Sequence, residues 1–280
     1  MTSMHIAFKI TPLIIAGTII VLLGLICDGI IIARFLPATQ FRVGPKPWGL
    51  RALAVGVLLL TGLFAIANLF YVLIAALLHH KHISQLTGII LPVELLLRIA
   101  ALAGCAVYFR RQRFDLRQAV GLDTTTIGAA AGWGVMFCLA SLPPVGVIIF
   151  ATDAFCRLFH INAGDQPIID LFLKTNSPGL LIVLLLFALS VAPVFEECLF
   201  RGFAYPALKQ RYGFWPAMLM VSGVFALSHL HAPSFLPLFI FAIGLGLAYE
   251  LTGSLVAPIT MHALFNATMI VQLFYQRSHP

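Results

Sequence analysis

Long apolar runs broken by short polar loops dominate the sequence. A hydrocarbon core of about 30 Å takes roughly 20 helical residues to cross. By that measure the runs predict eight membrane helices. The first four cover about Pro12 to Ile32, Leu50 to Leu78, Leu86 to Tyr108 and Ile127 to Phe150. The fifth starts near Pro178 and continues to Lys209, with a kink expected at Pro193. The last three cover Trp215 to about Leu230, Phe235 to Tyr249, and Val256 to about Phe274. Ala151 to Ser177 reads as the longest polar loop. It holds an amphipathic segment around Ile168 to Leu173 suited to the membrane surface. Gly128, Gly132 and Gly134 are expected to allow close helix contact along the fourth span.

Composition supports this reading. Hydrophobic residues make up 61% of the chain and charged residues 10%, against about 45–50% and about 25% in soluble domains. The expected fold is therefore all-α, a polytopic membrane bundle embedded in a lipid bilayer. No polar stretch is long enough to fold alone, so 1–280 reads as a single membrane domain. Four spans and the polar loop fill 1–177, and the core spans fill 178–280. The first apolar run lacks a cleavage pattern and is expected to stay as a helix.

The net charge of +7 sits in short loops. Lys and Arg are rich near 34–51, 110–117 and 209–211, and poor near 81, 157–174 and the C-terminus. Positive loops stay in the cytoplasm, which predicts both termini outside. No basic patch is interleaved with aromatics, so no nucleic-acid partner is expected. The cysteines, Cys27, Cys105, Cys138, Cys156 and Cys198, form no CxxC pair and read as packing residues. His79-His80-Lys81-His82 reads as a wet interfacial loop rather than a metal site, because consecutive loop residues do not all face one ion. Glu94 and Arg98, spaced i,i+4 in the third span, read as a stabilising pair.

Candidate chemistry concentrates in the last four spans. Glu196 and Glu197 lie side by side late in an apolar run, with Arg201 four residues beyond Glu197. In lipid such groups cost roughly 2.5–3.5 kcal/mol each at a helix centre, and they mark functional sites by default. A structural ion pair between helices is the plainer alternative. His229 falls late in the sixth helix, and His262 and Asn266 share a face of the eighth at i,i+4. His231 points away from His229 and reads as a loop residue. The fifth and sixth helices form a hairpin turning near Arg211, which puts Glu196 and His229 at similar depth. Glu197 and Arg201 can pair along the helix. Glu196, about 100° around it, is less compensated and is the expected base.

Three motifs, Glu196-Glu197-x-x-x-Arg201, Phe225-x-x-x-His229 and His262-x-x-x-Asn266, occur in this order. Together they resemble the CAAX protease and bacteriocin-processing family of intramembrane glutamic endopeptidases. The resemblance covers roughly the last third of the chain. It implies hydrolysis of a peptide bond in a membrane-associated protein or peptide, with no metal or other cofactor. Glu196 and His229 would activate a water, and His262 and Asn266 would stabilise the oxyanion. Glu197 and Arg201 would support them. Substrate and oligomeric state are not implied. Three other classes remain open: a zinc peptidase using His229, His262 and Glu196, though no HExxH is present; a catalytically silent immunity or interaction protein of the same fold; and a transporter, against which the missing internal repeat weighs.

Overall fold

A computed structural model describes residues 2–35, 43–46, 48–54, 56, 93, 95–104, 107, 111, 121, 125–161 and 166–278. Among these there is no strand, and the chain is an all-α polytopic membrane bundle. Helix α1 spans Thr2–Phe35, α2 Leu95–Gly104, α3 Ile127–Leu158 and α4 Pro167–Lys174. Helix α5 is continuous over Pro178–Tyr212. Then come α6, Phe214–Leu227, α7, Phe235–Thr252, and α8, Val256–Ser278. Among the described residues, α3, α5, α7 with its preceding 3-10 turn, and α8 are long and apolar enough to cross a membrane. Shorter apolar helices run over Gly17–Ala33 inside α1, over α2 and over α6.

The second predicted span is helical over 50–54 and lies almost wholly outside the described residues. The His79–His82 cluster, Glu94 and Cys105 lie outside them too. Elsewhere the helices depart from the expected bounds for local reasons. Helix α3 runs on to Leu158, because 151–158 contains no Gly or Pro. Asp153 and Arg157, expected in a loop, instead form an i,i+4 pair on its last turns. Helix α6 stops at Leu227, and Leu230 adopts φ 50°, a conformation that turns a non-glycine residue out of the helix. The expected amphipathic segment is α4. It buries Phe172 against Phe274 of α8 at 5.0 Å between ring centroids and exposes an Asp170–Lys174 pair.

The core gathers Phe137 of α3, Phe225 of α6, Phe241 and Leu245 of α7, and Met261 and Phe265 of α8. Close approach of α3 to α8 depends on one glycine. A Cβ on Gly134 would lie 2.5 Å from the Ala257 carbonyl oxygen, whereas a Cβ on Gly128 or Gly132 would meet nothing within 4 Å. Of the three glycines expected to permit contact, only Gly134 does so among the described residues.

Helix α5 is built in five pieces, the first an α segment over Pro178–Leu186. A π-helical turn at Phe187–Val191 leads into a short α segment, Ala192–Glu197. A second π segment, Cys198–Ala204, leads into Tyr205–Tyr212. Each π segment ends just before a proline, Pro193 or Pro206. Proline has no N–H to donate, so the ladder must shift around it. The Ala192 N–H reaches Phe187 and the Tyr205 N–H reaches Phe200, both i→i−5 bonds. The kink expected at Pro193 thus takes the form of a π turn, a distortion that concentrates at functional sites.

Gly134→Ala is expected to lower stability by about 1–3 kcal/mol, the usual range for overpacking. Gly132→Ala should be neutral or slightly stabilising, since alanine is the better helix former. Thermal unfolding of the two detergent-solubilised variants checks the contrast.

Candidate active site

The short α segment of α5 places its two glutamates about 100° apart, so they face different neighbours. Glu197 faces inward and is 0% exposed. Its Oε1 accepts from Arg201 Nη1 at 2.9 Å and pairs with His262 Nδ1, also at 2.9 Å. The Arg201 guanidinium is 1% exposed. It donates from Nη2 to the Ala242 carbonyl of α7 at 2.8 Å and lies 4.9 Å from the centroid of the Phe225 ring. One buried pair therefore ties α5 to α7 and, through His262, to α8.

Glu196 is set differently. Its side chain keeps 19% exposure, yet its buried Oε2 has no hydrogen-bond partner. That oxygen lies 4.0 Å from His262 Nε2, too far for a direct hydrogen bond. Glu196 and His262 thus face each other across a gap, one carboxylate oxygen against one ring nitrogen.

The hydrogen bonds fix the histidine tautomers. An ionised Glu197 can only accept, so His262 Nδ1 carries a hydrogen. His229 Nδ1 contacts the Phe225 carbonyl at 2.9 Å, which also can only accept, so it too is protonated there. Each histidine is anchored through Nδ1 and presents Nε2. Phe225 lies between the two rings, at 5.0 Å from His229 and 5.8 Å from His262.

The six residues singled out by sequence fall into three groups. Glu197, Arg201 and His262 are joined by hydrogen bonds, with Glu196 4.0 Å from His262. His229 shares Phe225 with His262, but no hydrogen bond or ion pair joins it to Glu196. Asn266, one turn beyond His262, donates from Nδ2 to the Ala188 carbonyl of α5 at 2.8 Å. His231 lies in the turn and contacts Ser234 Oγ at 2.7 Å, as expected of a loop residue. Arg98 lies with its guanidinium carbon 4.7 Å from the centroid of Phe187, whereas its expected partner Glu94 is outside the described residues. No group of three His, Cys, Asp or Glu side chains capable of holding a metal ion occurs among the described residues.

Sequence reading missed a second buried carboxylate. Glu250, 0% exposed on α7, accepts from Tyr205 Oη at 2.6 Å, from Lys209 Nζ and from the Val43 N–H at 3.4 Å. Lys209 also donates to the Val43 carbonyl at 2.9 Å, and Trp48 Nε1 donates to Phe203 at 3.2 Å. The segment around Val43 and Trp48 is thereby tied across the end of α5. The rule that singled out Glu196, an acidic group late in an apolar run, applies equally to Glu250.

Residues 178–268 match the family model described as type II CAAX prenyl endopeptidase Rce1-like. The match contains all six site residues and bears out the resemblance drawn from the three motifs. Among curated proteins, the chain is similar to an uncharacterised protein of Bacillus subtilis (strain 168), YpbD, at 32% identity over 136 residues. That alignment takes in 46% of this chain and 65% of the relative, so the chain spans a little under two thirds of it. No solved structure matches.

The geometry separates the two glutamates by what their loss does to the fold. Glu197→Gln leaves the Arg201 charge buried without its counter-ion, a change that costs roughly 3–5 kcal/mol. Glu196→Gln breaks no hydrogen bond and leaves only the 4.0 Å contact with His262 without its charge, so it should keep nearly wild-type stability. Unfolding midpoints of the two variants in the same detergent test the difference. Equal losses would show that Glu196 also carries structural charge.

Proposed function

We propose that this protein is an intramembrane endopeptidase that hydrolyses a peptide bond of a membrane-associated protein or peptide. The observation that carries the reading is Glu196 Oε2, buried and unpartnered, 4.0 Å from His262 Nε2. A buried carboxylate oxygen normally has a hydrogen-bond partner, and an unfilled one beside an anchored imidazole suits a water or a substrate group. The match to an Rce1-like family model supports the same class of chemistry.

In this reading Glu196 is the general base. It takes a proton from water as the water oxygen bonds to the scissile carbonyl carbon. It returns that proton to the departing amine nitrogen as the C–N bond breaks, leaving an acid and an amine. His229, protonated at Nδ1, offers the Nε2 lone pair as an acceptor that orients the water. His262 already donates from Nδ1, so it can donate to the oxyanion only from Nε2, as an imidazolium. Glu197 at 2.9 Å offsets that added charge. A preorganised donor of this kind acts strongly where water is excluded. No step draws on a cofactor.

In this reading both termini and the His229 turn lie on the face opposite Lys209 and Arg211. Positive-inside retention would put Lys209 and Arg211 in the cytoplasm and both termini outside. The whole chain, 1–280, acts as one membrane domain in this reading, with 178–280 carrying the chemistry.

Glu196→Gln keeps the size of the side chain but cannot take a proton. A folded, substrate-binding protein with essentially no turnover is expected. Single-turnover cleavage of a membrane peptide panel, with binding measured separately, provides the check. Wild-type turnover by this variant would make Glu196 structural. No cleavage by the wild-type protein on any peptide would favour a silent membrane protein of the same fold.

A further inference from the structure

The π turn before Pro193 leaves the Ala188 carbonyl of α5 without a helical donor. In an α ladder, Ala188 would receive the N–H of Ala192, but that N–H goes to Phe187. In a π ladder it would receive the N–H of residue 193, which is proline. Asn266 Nδ2 fills the place from α8 at 2.8 Å. This contact joins two helices at a point one turn from His262 and two turns from Glu196, the pair that faces across the 4.0 Å gap. Second to it, the Arg201–Glu197–His262 chain joins the same helices on the other side of Pro193. Helix α8 is thus pinned to α5 on both sides of the bend.

We infer that Asn266 is a positioning residue: it caps the Ala188 carbonyl orphaned by Pro193, and so sets the separation of His262 from Glu196. This rests on the endopeptidase reading for its effect on turnover, but not for the clamp itself. It gives Asn266 a role besides the oxyanion donation implied by resemblance: one Nδ2 hydrogen is held by the helix backbone, and the amide carries a second. A change of about 1 Å in the spacing of reacting groups lowers rate by roughly a hundredfold, so losing the clamp should be felt in turnover rather than in substrate binding.

The inference predicts coupling between two residues that do not touch the substrate in the same way. In Pro193→Ala, residue 193 regains an N–H that can reach the Ala188 carbonyl, and Asn266 is no longer needed there. The experiment is a double-variant cycle of Asn266→Ala and Pro193→Ala in the full chain, with Asn266→Asp, read at a pH where the carboxyl is ionised, as an isosteric control that keeps volume but then donates nothing. Three readouts are taken: the thermal midpoint, the imidazole resonances of His262 in histidine-labelled protein, and the single-turnover rate at saturating peptide.

Alone, Asn266→Ala and Asn266→Asp should each lower the midpoint, shift the His262 resonances and slow cleavage by roughly a hundredfold with little change in peptide affinity. On the Pro193→Ala background the same substitutions should change the midpoint and the His262 resonances far less. Should Asn266→Ala fail to fold, recovery of folding on that background is the expected result. Additive losses of midpoint, or no recovery, would overturn the clamp. So would an equal slowing of cleavage on both backgrounds with the midpoint and the His262 resonances unmoved, since Asn266 would then act on the reacting atoms alone. If no peptide is cleaved by any form, the endopeptidase reading fails, and the midpoint and resonance measurements still decide the clamp.

Discussion

The pair of Glu197 and Arg201 is the constraint on which the rest of the site depends. Both side chains are taken out of water almost completely. Desolvating two charges is expensive, and their attraction offsets that expense only when the geometry is good and further hydrogen bonds complete the shell. Here part of the shell comes from other helices, while Glu197 Oε2 is buried without a hydrogen-bond partner. Arg201 spends Nη2 on the Ala242 carbonyl, and Glu197 shares Oε1 with His262. Energetic necessity thus becomes a means of alignment. Helices α5, α7 and α8 hold one mutual position because any other loses the hydrogen bonds that Glu197 Oε1 and Arg201 make.

The irregularity of α5 has the same logic. A straight helix from Pro178 to Tyr212 would meet two prolines in its interior, each deleting a donor and crowding the preceding turn. The chain absorbs both with π turns, and the glutamates sit on the regular segment between them. The distortion also produces free backbone carbonyls, which in lipid need a partner as much as a side chain does. Asn266 supplies one at Ala188. A polar side chain far away in sequence is therefore recruited by what proline removes.

How much of this was legible in the sequence follows from the range of each interaction. The helical bundle was legible because hydropathy and span length are local. The Glu197–Arg201 pair was legible because i,i+4 spacing alone brings the two together. His262 was placed among the site residues, but not as a partner of Glu197. That contact depends on how α8 packs beside α5, which no local pattern encodes. The π turns were read only as a kink, since Pro193 shows where the ladder breaks and not how the backbone accommodates it. Asn266 was matched to a motif, yet its contact with Ala188 depends on a carbonyl freed by tertiary distortion. Glu250 went unread although its signal was present. Its partners, Tyr205, Lys209 and Val43, come from two other parts of the chain, and no spacing rule connects them.

Adjacent glutamates with unlike surroundings also resolve a difficulty inherent to acid–base chemistry in a membrane. A carboxylate fully matched by a cation is stable but poorly placed to accept a proton. One with no support is too costly to hold ionised in lipid. The site divides the two conditions between neighbours. Glu197 bears the compensation, from Arg201 and His262 together, and so fixes the helices. Each glutamate has an Oε2 without a partner, but Glu196, rotated by one residue around the same rigid segment, keeps partial exposure and is not paired with Arg201. Its nearest titratable neighbour, His262, is itself oriented by Glu197. The ion pair that holds the fold therefore also aims the imidazole at the carboxylate left open, and structure and proposed chemistry are set by one set of contacts.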